Sequence, residues 1–522
     1  MKKIIALSTA AILSTALYAD ADMQAQLDAL TAKIEKLEKQ NKKQNETISE
    51  VKVQSAKDNI KFDVDFRTAY DNLQYKTLNG QTLKNDALFS NRLWLNMGYA
   101  PTETMIFKGQ LAYHKAFGAI PSDADTTTGY PQRGFGYDTY DWISNESLND
   151  DKIRVREAYW LWTPKLDDVS FTASVGRRPS TNGFMANLRE DDAHDKSPNG
   201  HVINMEFDGA SAGIKSDVLL PGMLFKLCLG RGLTNAKSWA NEAGTTLANQ
   251  SMAATSPNYI EDEDALDTVD MAGFIFIPYD DGQYALKTTW YRGFNVPGMV
   301  LVDYETAGTQ TMVDDTQSWA MKNNGDMDGM AISLQINGIG DEISDFLDDT
   351  TFFASYAMSK SHPTSDTLRL AAGESSATAA GGAAALTMLG VESGAMLGSN
   401  ESKTGTSIWI GAVMPNLTGG KFGLEYNKGS KYWRPFTYGE DTLIGSKLAA
   451  RGSAYEAYWS QPLGEAFSMQ VRYTYIDYDY TGSNGFFGDG GTPISMADAK
   501  ANPYMDPIET ASDLRVYFRY RY

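Results

Sequence analysis

Asp513-Leu514-Arg515-Val516-Tyr517-Phe518-Arg519-Tyr520-Arg521-Tyr522 is a strand with two unlike sides. Leu514, Val516, Phe518, Tyr520 and Tyr522 share one face at a period of two, while Arg515, Arg519 and Arg521 fall on the other. A soluble sandwich would turn the apolar side to a core. Here the polar side is rich in arginine and the apolar side in aromatics. That combination suits a transmembrane barrel strand, with aromatics toward lipid and charge toward a wet lumen.

The same alternation recurs upstream. Phe62, Val64 and Phe66 alternate with Lys61, Asp63, Asp65 and Arg67. Met105, Phe107, Leu111 and Tyr113 stand opposite Lys108, Gln110 and His114, and Met469, Val471, Tyr473 and Tyr475 opposite Gln470, Arg472 and Thr474. Extending the pattern along the chain predicts about sixteen strands, with eighteen as the other count to consider, and hence an all-β, antiparallel transmembrane barrel. The connections support closure. Short turns at 100–101, 163–165, 220–222, 279–282, 415–419 and 461–464 carry Pro, Gly, Asp or Asn. They alternate with long segments at 117–151, 179–202, 233–268, 295–327, 361–403, 430–451 and 481–511. Segregated loop lengths are expected when one barrel end faces the periplasm and the other the exterior. Segment 339–349 is long for the short-turn end. Glu157 falls on the apolar side of 153–161, which implies either a subunit interface or a bulge that resets the register.

Composition sets limits. The chain has 522 residues and a net charge of −20, which disfavours nucleic acid as a partner. Its mean hydropathy of −0.37 excludes a bundle of membrane helices but not a barrel, which needs apolar residues only at alternate positions. The single cysteine, Cys228, excludes an internal disulfide framework and reads as a small apolar filler. The 28 tyrosines fit interfacial girdles, although a large soluble sugar-binding protein shares such richness.

Residues 1–19 read as a secretory signal peptide: Lys2 and Lys3, an apolar stretch over 4–17, and cleavage near Ala19. An uncleaved anchor is the alternative. Residues 20–58 follow a heptad, with Leu27, Ile34, Asn41 and Ile48 at a and Met23, Leu30, Leu37, Gln44 and Val51 at d. This predicts a periplasmic coiled coil and self-association, with a lone solvated helix or disordered arm as the other reading. The barrel would then occupy 59–522.

The inward faces collect Arg67, Arg92, Lys108, Arg154, Arg156, Arg178, Lys226, Arg472, Arg515 and Arg519. The run Gly176-Arg177-Arg178-Pro179-Ser180-Thr181-Asn182-Gly183, followed by Asn187-Leu188-Arg189-Glu190, resembles a family of uncharacterised outer-membrane proteins of the epsilon-proteobacterial group, known only as a domain of unknown function. The resemblance covers the whole chain. It implies a porin-like barrel and brings no substrate or site. The final aromatic strand also resembles the insertion signal that bacterial barrels present to their assembly machinery. In general porins the connection between the fifth and sixth strands folds inward. By that analogy 179–202 would narrow the pore, setting Glu190, Asp191, Asp192 and Asp195, with Arg189, across from the arginine wall. A solvated acidic surface is the competing reading.

No His-Glu-x-x-His or phosphate-cradling Gly-Lys-Ser/Thr pattern is present, and no catalytic site, metal or cofactor is expected. Glu261 to Asp264 lacks the spacing of a dedicated calcium loop and reads as acidic surface. The Ala-, Gly- and Ser-rich stretch 361–403 reads as a flexible loop, or as a plug with a short helix at 383–391. The expectation is therefore a Gram-negative outer-membrane channel for passive diffusion of small hydrophilic solutes or ions, embedded in outer-membrane lipid as a homotrimer. A surface-binding or adhesion barrel and a lipid-acting barrel enzyme are the alternatives. Anion and cation selectivity both remain open.

Overall fold

The computed structural model describes residues 60–118, 153–192, 194–237, 260–261, 267–302, 318–338, 343–364, 396–484, 491–503 and 505–522, with isolated positions between them. The signal peptide, the coiled coil, the acids at 262–264 and the stretch 383–391 lie outside the described residues.

Sixteen antiparallel strands close on themselves. In chain order they are β1 (Lys61–Thr77), β2 (Thr82–Tyr99), β3 (Met105–Ala116), β4 (Arg154–Trp162, continued by Lys165–Leu166) and β5 (Val169–Arg178). Next come β6 (Phe207–Ser216), β7 (Met223–Leu233), β8 (Val269–Asp280), β9 (Tyr284–Val302), β10 (Ser318–Asn337) and β11 (Thr351–Pro363). The last are β12 (Thr404–Pro415), β13 (Lys421–Gly429), β14 (Gly452–Pro462), β15 (Phe467–Tyr478) and β16 (Ile508–Arg521). Each pairs with its neighbours in sequence, and β16 pairs with β1 from Asp65↔Arg521 to Thr77↔Ile508, which leaves no free edge.

The outward residues are apolar and exposed, including Phe66, Phe107, Trp160, Leu227, Ile332, Ile410, Tyr473 and Phe518. The alternate positions are buried and polar, as in β16, where Asp513, Arg515 and Arg519 point inward. A soluble core would invert this arrangement. Glu157 lies inside, and a bulge is the cause. Between Gln110↔Glu157 and Leu111↔Val155 the β4 strand carries Arg156 as an extra residue, so both Arg156 and Glu157 are buried.

Two boundaries differ from the sequence reading. The period-two pattern predicts a strand near Leu88–Ala100, whereas β2 begins at Thr82, because Leu83 to Asn85 continue the ladder with β1. Much of 295–327 is strand: β9 and β10 pair out to Val302↔Ser318, past register shifts near Val296. Segment 338–350 contains the short helix Asp345–Asp348, capped by the Ser344 side chain, which explains its length at the short-turn end.

Candidate functional site: a charged lumen and two inward segments

Sheet register places like charges side by side. Arg67 lies directly opposite Arg92 on one side and Arg519 on the other, and Arg472 lies opposite Arg515. Two strands away, Glu425 faces Glu456. Like charges in such pairs repel, so this wall requires counter-ions. Some come from the strands themselves. Asp65 accepts from Arg519 Nε at 2.8 Å, and Asp71 accepts from Arg515.

The remainder come from two segments that enter from the long-loop end. The segment 179–206 places Arg189 and Glu190 on the short helix Ala186–Arg189 and its C-cap. The segment 430–451 places Glu440, Asp441 and Lys447. Asp441 is ringed by arginines. Arg67 Nη2 donates to it at 3.0 Å and Arg515 Nη1 at 2.7 Å, with Arg472 at 3.3 Å and Arg92 at 3.7 Å. Glu190 pairs with Arg472 at 3.1 Å and with Arg189 at 3.0 Å. On the acidic wall Lys447 binds Glu425 at 2.7 Å and also Glu456, while Arg189 reaches Glu440 at 2.8 Å. The two segments thus offer acids to the arginine wall and cations to the acid wall.

Burial makes these charges consequential. It raises the Asp441 carboxyl, but the guanidinia of Arg67, Arg515 and Arg472 outweigh it and hold Asp441 well below the ordinary aspartate value. Burial and the adjacent Asp441 push Glu190 up, and Arg189, Arg472 and Arg92 together bring it below the ordinary glutamate value. The acids and arginines are in direct contact, not facing one another across water.

The other sequence-derived residues fall into place around this cluster. Asp192 pairs with Arg521 at 2.8 Å, and Asp191 pairs with Lys421, both in a vestibule at the short-turn end. Arg156 forms a neighbouring group: Nη1 donates to Gln110 at 2.5 Å, and Glu206 lies 3.4 Å away. Burial holds Glu206 above the ordinary glutamate value, with Arg156 opposing. Trp94 bridges the two groups, its ring 3.6 Å from the Arg92 guanidinium carbon and 4.3 Å from that of Arg156. Arg154, at the start of β4, is half-buried and stands outside the cluster. Arg178, at the end of β5, lines a separate cavity with Ser180 and Cys228.

Sequence reasoning missed Asp441, Glu440, Lys447, Glu425 and Glu456. His201, which the sequence places in or beside the inward connection, has no metal-binding neighbours among the described residues. That imidazole is fully buried between two hydroxyls, Ser355 Oγ at 2.7 Å from Nδ1 and Ser407 Oγ at 3.0 Å from Nε2. Burial pushes it down to about 3. Apolar clusters complete the packing, with Ile203, Trp433 and Phe436 in one, and Phe184, Trp409 and Leu448 in another.

A closed sixteen-stranded barrel with an apolar outside and a charged, loop-filled inside defines a porin-like β-barrel protein. The chain belongs to the family described as "Protein of unknown function (DUF3373)", whose model matches residues 82–522. No curated protein matches it. Solved structures similar in strand architecture include a loop L8 deletion mutant of the outer membrane protein OmpT of Vibrio cholerae, 10% identical over 89% of this chain and 99% of that one, TM-score 0.41. Salmonella typhi OmpF in complex with daunomycin is 10% identical over 88% and 97%, TM-score 0.41. Pseudomonas putida OprB is 9% identical over 89% and 94%, TM-score 0.42. The closure of the barrel stands on its own strand ladder.

Proposed function

We propose that this chain is an outer-membrane channel for passive diffusion of small hydrophilic solutes or ions, in a porin-like family of the epsilon-proteobacterial group. The segment 179–206 forms its charged constriction against Arg67, Arg92 and Arg472. The observation that carries the reading is the joint one of a lipid-suited exterior and a charge-lined interior enclosed by sixteen strands. Outer-membrane residence, a cleaved signal peptide, assembly as a homotrimer and recognition of the aromatic last strand by the barrel-assembly machinery belong to the same proposal. No catalytic step is assigned.

One observation favours a second reading. Arg67, Arg92, Arg156 and Arg515 are fully buried within the lumen, as in a barrel filled by its own segments. Such a barrel would serve as a surface-binding or adhesion protein and pass no current. The lipid-acting enzyme has less support: the Ser355–His201 contact is shut inside the lumen, and its second nitrogen meets Ser407 instead of a carboxylate.

Reversal potentials of the full-length protein in planar bilayers separate these readings. A channel shows discrete currents whose selectivity changes in Arg178→Ala and whose conductance rises in Glu190→Ala. Folded protein in the membrane with no current supports the adhesion reading.

A further inference from the structure

The two inward segments do not fill the lumen evenly. Their apolar clusters pack on β1, β8–β12 and β14–β16 among the described residues, with Leu88 of β2 and, at the outer ends of β6 and β7, Phe207 and Leu233 leaning on them. Along β5 to β7 most inward positions are small, namely Ser174, Gly209, Ser211, Gly213, Cys228 and Gly230, and on β8 Gly273 sits between Met271 and Ile275. A cavity lies there, bordered by Arg178, Ser180, Gly209, Cys228 and Gly273.

Charge is also left over on this arc. Arg178 Nε is buried with no hydrogen-bond partner. Lys226 projects to the same side as Cys228, two positions along β7, and its Cβ lies against Gly213. Arg178 borders the same cavity as Cys228, and Lys226 follows on the other side of Cys228 along the inner wall. Asp195 of the inward segment is held by Lys287 at 2.8 Å. Among the described residues neither Arg178 nor Lys226 has a carboxylate at ion-pair distance, whereas Arg67, Arg92, Arg472, Arg515 and Arg519 all do. Two uncompensated cations beside small side chains and a cavity leave an anion as the missing partner.

We propose that Arg178 and Lys226 form an anion-binding station, and that the open path of the lumen runs past it along β5 to β8. This rests on the channel reading above and gives that channel a substrate class: small inorganic or organic anions. The arginine cluster around Asp441 is then a structural clamp, and the cations that select solutes are the two it leaves out.

Cys228 is the chain's single cysteine, so it reports on this spot alone. Full-length protein, folded in detergent and then in liposomes, is treated with an anionic sulfonatoethyl or a cationic trimethylammonioethyl methanethiosulfonate. Rates are taken relative to those of free cysteine. The anionic reagent is expected to react about tenfold faster, and the ratio to fall about tenfold in Lys226→Gln or Arg178→Gln, because each removes one local positive charge. Cys228→Ser abolishes labelling, and a retained heat-modifiable band shows that each variant is folded. In bilayers the wild type passes chloride over potassium, and both charge variants lose that preference. Equal or cation-favoured labelling of folded protein overturns the station, whatever the currents show. The expected labelling ratio in a barrel without current supports the station and removes the channel reading instead.

Discussion

Replacing Asp441 with Asn removes one negative charge that four arginines share. Arg67, Arg92, Arg472 and Arg515 all lie within 3.7 Å of its carboxylate oxygens. Arg515 and Arg92 keep Asp71 and Asp65 nearby, and Arg472 keeps Glu190. Arg67 lies between Arg92 and Arg519 in register and donates to Asp441 through both terminal nitrogens. Breaking one partner out of a buried ion network costs about 3–5 kcal/mol. At about 1.4 kcal/mol per factor of ten, undocked excursions of 430–451 should become at least about a hundredfold more frequent. The barrel itself should survive, because its strand ladder does not depend on this segment. In planar bilayers the variant should show raised mean conductance and added open-channel noise, and limited proteolysis should cut within 430–451. Conductance and cleavage indistinguishable from wild type would refute the assignment of Asp441 as the clamp.

Lys447→Ala leaves Glu425 and Glu456 opposed across β13 and β14, and should lower thermal stability by about 3 kcal/mol. Adding Glu425→Gln should restore part of that loss, and a double-mutant cycle of unfolding midpoints checks it. Acid should act in two windows. His201 is neutral when folded, so the unfolded state binds its proton first and docking of 179–206 weakens as pH falls below 6.5, by about 3 kcal/mol at pH 4. That effect should vanish in His201→Gln. Asp441 is depressed, so its contribution is complete above about pH 4 and is lost only as pH falls further through its folded value; conductance against pH in both proteins reads the two windows apart. Tyr473→Arg, on the lipid side of β15, should cost about 2–4 kcal/mol if it lies near mid-membrane, and reduce insertion into vesicles as scored by heat-modifiable mobility.

The wall was legible because its signal is local. Leu514 and Arg515 are neighbours in sequence and opposites in space, and a period of two needs no distant information. The inward course of 179–206 was legible only by analogy, and the register around Glu157 only as a choice between two causes. The clamp was not legible. Asp441 sits in an irregular segment 374 positions from Arg67, and nothing in Tyr438-Gly439-Glu440-Asp441 marks it as a counter-ion. Its signal exists in the register: once β1, β2, β15 and β16 are adjacent, Arg67, Arg92, Arg472 and Arg515 demand an acid that their own strands do not fully supply. Arg178 appeared among the inward arginines, but its isolation emerges only when the others are seen to be paired.

Single-channel recording of the purified full-length protein in planar bilayers tests the central claim most directly. The account predicts discrete steps of small conductance that prefer chloride and grow when Asp441 is replaced. Folded, membrane-inserted protein that passes no ions, before or after that replacement, would contradict it.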